Sequence, residues 1–415
     1  MRADEQQRGA ARRPFSLVVI LMTSALSPFH ASSATAAPGT LRIAAWNVSL
    51  YRQAEGELAR ELSKGDSPQP QVIATVLQKV RPDILLLNEF DYDPAAPALF
   101  QRNYLEVAQR DGTPLRYPQH FIAPSNTGVP SGLDLDRDGK IGGGNDALGF
   151  GQFPGQYGMV VFSRFPIDVV ATRTFRKFLW RDMPGALLPP GWYDDVALAK
   201  LPLSSKSHWD VVIQLPGRAL HLLVSHPTPP GFDGPEDRNG RRNHDEIRLW
   251  ADYIDPARGT YLYDDRGQRG GLAPGASFVI AGDLNADPLD GGSIRGAIDQ
   301  LLEHPRVHRE AATGRLAPRS QGAVEAARRQ GGANQTQAGE AALDTADFSD
   351  RGNSVGNLRV DYVLPSADLE VCASGVYWPR PDDPEFALVN DDASASSDHR
   401  LVWIDLALPG QRCPR

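Results

Sequence analysis

The sequence predicts a layered α/β domain built on two packed sheets. Three observations carry that expectation. Eight short apolar runs bounded by turn residues read as buried strands, helical patterns lie between some of them, and no linker divides the chain into two cores. Strands interleaved with helices pack as layers, and so many strands call for two sheets. In chain order the strand runs are 41–48 (LRIAAWNV), 83–90 (DILLLNEF), 157–167 (YGMVVFSRFPI), 208–215 (HWDVVIQL), 219–227 (ALHLLVSHP), 277–285 (SFVIAGDLN), 358–366 (LRVDYVLPS) and 400–408 (RLVWIDLAL). Residues 70–80 and 242–254 space apolar side chains at three and four, the stripe of a helix with one buried face. Two long segments break the pattern. Residues 123–156 are rich in Gly, Asp and Pro, and 311–357 is Ala-, Gly- and Gln-rich with few large apolar groups. Both read as insertions in a single domain, the second as a flexible loop.

The 415 residues, 41% hydrophobic and 23% charged, suit one large globular domain. Arg8, Arg12 and Arg13 precede an apolar run from Phe15 to Leu26, and Ala34 and Ala36 then meet the small-x-small cleavage rule. Residues 1–36 are therefore expected to be an export signal, cut after Ala36. The apolar run is too short to span a bilayer, so no stable membrane insertion is expected. Arg12-Arg13 suits twin-arginine export as well as any basic leader, which leaves the route open. The mature domain, 37–415, is expected in the periplasm or outside the cell, as a monomer. Its charge is −10, since the leader's four Arg, one Asp and one Glu carry +2 of the chain's −8. Such a field repels polyanions, so a nucleic-acid substrate would need a local basic patch or bound cations. Cys372 and Cys413 are either two separate thiols or a disulfide stapling the C-terminus to the body.

Polar residues gather at the strand ends, where the backbone can aim them into one cleft. Asn47 ends the first run and Glu89 the second; His226 ends the fifth, Asp283 and Asn285 the sixth. Asp361 lies within RVDYVL, and Asp398 and His399 open the last strand. Carboxylate and amide oxygens suit Mg²⁺, Mn²⁺ or Ca²⁺ rather than zinc. A histidine beside a carboxylate suits general acid/base work.

These motifs, WNV, LLLNEFD, YGMVVFSRFPI, SHP, GDLNADP, RVDYVL and SDHRLVW, occur in the order found in the endonuclease/exonuclease/phosphatase superfamily. The chain resembles that superfamily from about residue 41 to 408. The resemblance implies a four-layered α/β sandwich, deoxyribonuclease-like, with two mainly antiparallel sheets flanked by helices. It also implies hydrolysis of phosphate esters by in-line attack of water, with Mg²⁺ or Mn²⁺ as cofactor. Glu89 would be the principal metal ligand, with Asn47 beside it and Asp398 completing a position. Asp283 would orient or deprotonate the water, and Asn285 would hold a phosphoryl oxygen. His399, paired with Asp361 or another nearby aspartate, would stabilise the pentacovalent phosphorus or protonate the leaving oxygen. His226 would serve the leaving-group side, and Tyr157 would bind substrate.

One position departs from the pattern. Many superfamily nucleases carry Arg or Lys two residues after the metal glutamate, where this chain has Asp91. An acid there cannot pair with phosphate and would instead strengthen a metal site. Other basic residues open to that task are Lys206, His208 and Arg181. The leading expectation is a phosphodiesterase or nuclease, acting on nucleic acid or a small organic phosphate. The alternatives are a phosphomonoesterase for small or inositol phosphates, and a calcium-binding module without turnover.

The stretch SGLDLDRDGKIG (131–142) has the aspartate spacing of an EF-hand loop. Asp134, Asp136 and Asp138 take the first three ligand positions, the Lys140 carbonyl a fourth, and Asn145 stands where the bidentate glutamate belongs. Gly and Pro dominate the flanks, so there is no helix pair to move. The expectation is one structural Ca²⁺ on the rim of the cleft; the alternative is a polar turn held by its own aspartates.

Overall fold

The computed structural model describes residues 39–352, 354–390 and 395–414; the expected export signal lies outside them. In chain order the strands are β1 Thr40–Leu50, β2 Ile84–Phe90, β3 Gln119–Phe121, β4 Met159–Ser163, β5 Arg173–Thr174, β6 His208–Leu215, β7 Arg218–Ser225, β8 Phe278–Asp283, β9 Ala346–Asp347, β10 Asn357–Leu358, β11 Asp361–Pro365, β12 Val371–Tyr377 and β13 Leu401–Ala407. One sheet runs β12-β13-β1-β2-β4-β3 and the other β11-β8-β7-β6-β5, with β9 and β10 as a separate ribbon. Within the two sheets only β1–β2 and β7–β8 pair in parallel. The rest is antiparallel, as the resemblance implied.

Strand periodicity explains the layers. Trp209, Val211 and Ile213 of β6, Leu220, Leu222 and Val224 of β7, and Val279 and Ala281 of β8 face the first sheet. The alternate residues, Leu223, Phe278 and Ile280, join Tyr362 and Leu364 of β11 in a second core beneath the helix Arg238–Ile254. Successive side chains of a strand point to opposite faces, so a sheet covered on both sides reads as a continuous apolar run. The helix Pro68–Val80 adds Ile73, Val76, Leu77 and Val80 to the first core. Helix, sheet, sheet, helix is the four-layer order.

All eight expected strands form, while β3, β5, β9, β10 and β12 had no clear signal. Residues 311–357 correct the expectation of a flexible loop. They contain the helix Gln321–Gln330, capped by the Ser320 side chain accepting from Ala323 N, and the β9–β10 ribbon. Gly322, Ala323, Ala326 and Ala327 are its buried residues, so small residues in close contact replace the large apolar stripe that composition lacked. The other insertion, 123–156, is fastened beside β6. Asn126 N donates to the Lys206 carbonyl (2.9 Å), and its side chain donates to that of Ser204 (2.8 Å). Gly149 packs so closely there that a Cβ would lie 1.8 Å from the Ser205 carbonyl oxygen. Cys372 of β12 is joined to Cys413, which ties the C-terminal tail to the sheet edge. Among the described residues no helix is long and apolar enough to cross a membrane.

Candidate active site

The ends of β1, β2, β7 and β8 and the entry to β13 converge on one cleft, which has two chambers. The first, of about 600 Å³, is lined by Glu89, His226, Asp283, Asn285, Asp398 and His399, among others. The second, of about 550 Å³, shares Glu89, Tyr157, His226 and Phe232 and continues to Lys206 and Arg242. Several of these residues adopt the left-handed backbone region that side chains usually avoid: Glu89 (φ 56°), Tyr157 (φ 55°), Phe232 (φ 63°) and Asn285 (φ 51°). Such conformations persist where surrounding packing over-determines them, which is how a sheet can aim side chains into a cleft.

Asp283 is the hub. Its Oδ2 accepts from Asn47 Nδ2 (3.0 Å) and faces His226 Nε2 at 3.3 Å and His399 Nε2 at 3.6 Å. Its Oδ1 accepts from the Asn285 N–H (2.9 Å). Burial alone would raise its pKa, but His399, His226 and Asn47 together hold it well below the usual carboxylate range. His399 Nδ1 bonds Asp361 Oδ2 at 2.8 Å, which settles which aspartate partners it. Thr345 Oγ1 donates to the same Asp361 oxygen (2.9 Å), and Phe348 presents a ring edge-on to His399 at 5.3 Å. Burial works against a charged His399, yet Asp361 and Asp283 raise its pKa well above the ordinary value. The ring is thus an imidazolium between two carboxylates. His226 is the opposite case. Burial, then the Lys206 charge, lower it to about 4, so it is neutral and Nε2–H donates to Asp283.

Glu89 borders both chambers. Burial pushes its pKa up to about 7, with Asp398 and Asp283 adding to the rise and His399 and a hydrogen bond from Asn47 opposing it. A carboxylate in that state is short of positive charge. Glu89 and Asp398 supply hard oxygen donors, while Asn47 beside them turns its amide N–H toward Glu89 and Asp283 and its Oδ1 accepts from Ser49 N at 3.2 Å. This donor set fits a hard divalent cation. Asp283, Asp361 and His399 also have ligand atoms within 4.8 Å of one another. There, however, Nδ1 is committed to Asp361, so that trio is a charge-coupled array rather than a ligand set.

The other expected residues divide. Tyr157 lines both chambers, with its ring 4.7 Å from Tyr51. Asp91 does not serve the metal: its carboxylate accepts from Arg52 N (2.7 Å) and Tyr157 N (2.9 Å), fixing the strained Tyr157 backbone. Arg181 is a surface residue 3.8 Å from Asp182. His208 is buried, bonding the Ser204 hydroxyl (2.6 Å) and the Glu246 carbonyl (2.8 Å). Lys206 alone of the three basic residues reaches the cleft. In the aspartate loop the carboxylates of Asp134, Asp136 and Asp138 do meet. Their oxygens accept from the backbone N–H groups of Asp138, Gly139 and Lys140 (2.8–3.2 Å), the bonds of a self-held polar turn. Lys140 Nζ stands 4.0 Å from Asp138, and Asn145 lines the second chamber. Sequence reasoning missed Thr345, Asn88, whose Oδ1 accepts from Asp283 N (3.1 Å), and Phe232. Only Phe232, in PPGFDGP, had a signal: an aromatic among turn residues.

His208 yields a pH prediction. Burial lowers its pKa to about 4, against about 6.5 in an unfolded chain. The unfolded state therefore binds the extra proton between those values, and stability is lost as pH falls from about 6.5 toward 4. Urea unfolding should show about 2 kcal/mol less stability at pH 5 than at pH 7 from this group alone. His208→Gln should flatten the slope by that amount; an unchanged slope would refute the assignment.

A two-sheet sandwich whose strand ends gather an imidazolium, a buried carboxylate hub and hard oxygen donors defines a metal-dependent hydrolase of phosphoric esters. A profile of the endonuclease/exonuclease/phosphatase family matches residues 44–399, and the chain belongs to that family. No curated protein matches it significantly. Among solved structures it is similar to an endonuclease/exonuclease/phosphatase from Beutenbergia cavernae (18% identity, covering 89% of this chain and 72% of that one, TM-score 0.47). It is also similar to a mannosyl-6-phosphatase from Bacteroides thetaiotaomicron (14%, 88% and 99%, TM-score 0.44). A third likeness is to sphingomyelinase C from Streptomyces griseocarneus (14%, 88% and 99%, TM-score 0.42). The substrates in those names belong to those proteins.

Proposed function

We propose that the protein is an exported, divalent-metal-dependent phosphodiesterase of the nuclease kind. The observation that carries this reading is the meeting of two chambers at Glu89, Tyr157 and His226. A phosphorus atom held at that junction has room for an ester arm on either side, whereas a phosphomonoester would fill one chamber only. The Cys372–Cys413 bond supports export, because such bonds persist in oxidising compartments.

Mg²⁺ or Mn²⁺ at Glu89, with Asn47 and Asp398 beside it, would neutralise phosphoryl charge that otherwise repels a nucleophile. The side chains do the rest. Asp283 accepts a hydrogen bond from the attacking water; held well below the carboxylate range, it orients better than it deprotonates. Asn285 gives one amide N–H to the Pro227 carbonyl (3.1 Å) and keeps the second for a phosphoryl oxygen. His399, kept cationic by Asp361, faces the charge that builds on the pentacovalent phosphorus. His226, neutral, flanks the leaving group as a hydrogen-bonding group and steadies Asp283.

The test is a panel of plasmid DNA, RNA, bis(p-nitrophenyl) phosphate and p-nitrophenyl phosphate, each with Mg²⁺, Mn²⁺ or Ca²⁺. Diester turnover at least about tenfold above monoester turnover is expected, and the reverse preference would replace this reading with a phosphomonoesterase. Melting curves from the same samples test the aspartate loop as a Ca²⁺ site. Calcium should raise the melting temperature, and Asp136→Ala should remove that rise; a rise that survives leaves the loop as a turn.

A further inference from the structure

The two chambers carry opposite charge. The first holds Asp287, Asp290 and Asp398. The second holds Lys206, Arg238 and Arg242, a concentration of positive charge in a chain of net charge −8. Arg238 is paired with Glu236 and can be set aside. Lys206 is 6% exposed, and its ammonium makes no hydrogen bond or ion pair among the described residues. The nearby Glu246 carboxylate is already committed, Oε1 to Ser205 N (2.6 Å) and Oγ (2.9 Å) and Oε2 to Thr228 N (2.6 Å). Arg242 donates to the carbonyls of Leu203, Leu148 and Pro202 at 2.7–2.9 Å, and no carboxylate pairs with it among the described residues.

Burying an ammonium without a partner is costly, and evolution has cheaper ways to fill a core. Lys206 is best explained by a partner that arrives with the substrate. Glu89 and Asp283 share its surroundings, but the mechanism gives the first to a cation and the second to water. We propose that the second chamber binds a second phosphate of the substrate, with Lys206 as its charge partner and Arg242 beside it. A phosphate monoester carries about −1.5 to −2 charge at neutral pH and matches two cations, whereas a carboxylate would leave one unpaired. The chamber's 550 Å³ is the size of a small-molecule site. Phe232, Phe150 and Tyr157 on its walls give a planar group between the two phosphates something to lie against. This inference rests on the phosphodiesterase reading and narrows it: preferred substrates carry a further phosphate on one ester arm.

Calorimetric titration of the Mg²⁺-saturated protein separates the two ideas. Adenosine 3′,5′-bisphosphate should bind about tenfold or more tightly than adenosine 5′-monophosphate, the scale of one charged contact. Lys206→Met should erase that preference and Lys206→Arg should retain it. Should Lys206→Met fail to fold, Arg242→Gln provides the second measurement and should reduce the preference several-fold. Equal affinity of the wild type for both nucleotides, or a preference that survives loss of the Lys206 charge, overturns the proposal. The pair pTpT and TpT distinguishes sources: a matching preference assigns the chamber to the terminal phosphate of a strand, and a preference confined to the bisphosphate assigns it to small molecules. Turnover of bis(p-nitrophenyl) phosphate, which lacks a second phosphate, reports separately on the phosphodiesterase reading.

Discussion

Glu89→Gln is expected to lower metal-dependent hydrolysis by at least about 10³-fold while leaving the fold intact. The substitution keeps size and hydrogen-bonding reach but removes the charge that the divalent cation needs. It should not cost stability. The native carboxylate is already pushed up to about 7 by burial, with Asp398 and Asp283 adding repulsion. A neutral amide relieves that repulsion, so the melting temperature should hold or rise. Proton and cation also compete for the wild-type carboxylate. Glu89 is mostly protonated below about pH 7, so the half-saturating metal concentration should be about tenfold higher at pH 6 than at pH 8. Rate against metal concentration at the two pH values measures this, and near-wild-type turnover in Glu89→Gln would remove Glu89 from the metal site.

The strand ends were legible because position and chemistry coincide there. A buried strand announces itself as a short apolar run, and the polar residue that closes or opens it needs no long-range information to be noticed. Asn47, Glu89, His226, Asp283, Asn285 and His399 were found in that way, and all sit around one hub. Partnerships were not legible. That His399 takes Asp361, 38 positions away, depends on the β11–β8 register that sets Asp361 opposite Asp283 and on the bridge of His399 to Ala346, neither of which a local pattern encodes. Thr345 was hidden in a segment whose composition suggests looseness, yet it fixes Asp361 from the turn before β9–β10. Asp91 misled for a related reason. Its charge suggested a metal role, but its surroundings give it to backbone N–H groups. Burial also decided between the basic residues. Lys206 and His208 are two positions apart and therefore face the same way in an extended chain, but the strand begins only at His208, so one opens on the cleft and the other enters the core.

His399→Ala should cost about 10³- to 10⁴-fold in turnover, the range for losing a positioned acid/base group together with its charge. The more informative result concerns Asp361. It touches neither chamber and acts only through the imidazole, so Asp361→Asn should lose less, about 10- to 100-fold, by letting His399 drop its extra proton nearer neutral pH. That variant should also bring a new alkaline fall in rate at lower pH than in the wild type, because Asp361 is a main reason the His399 pKa is raised. Groups that work as a unit are not additive. The double variant His399→Ala/Asp361→Asn should therefore be no slower than His399→Ala alone. Removing the imidazolium leaves Asp361 and Asp283 buried without their cation, so some stability will be lost. His399→Gln, which keeps a donor toward Asp361, provides the folded control. If the double variant lost the product of the two single effects, Asp361 would be acting on the reaction independently of His399, and the coupled array would have to be abandoned.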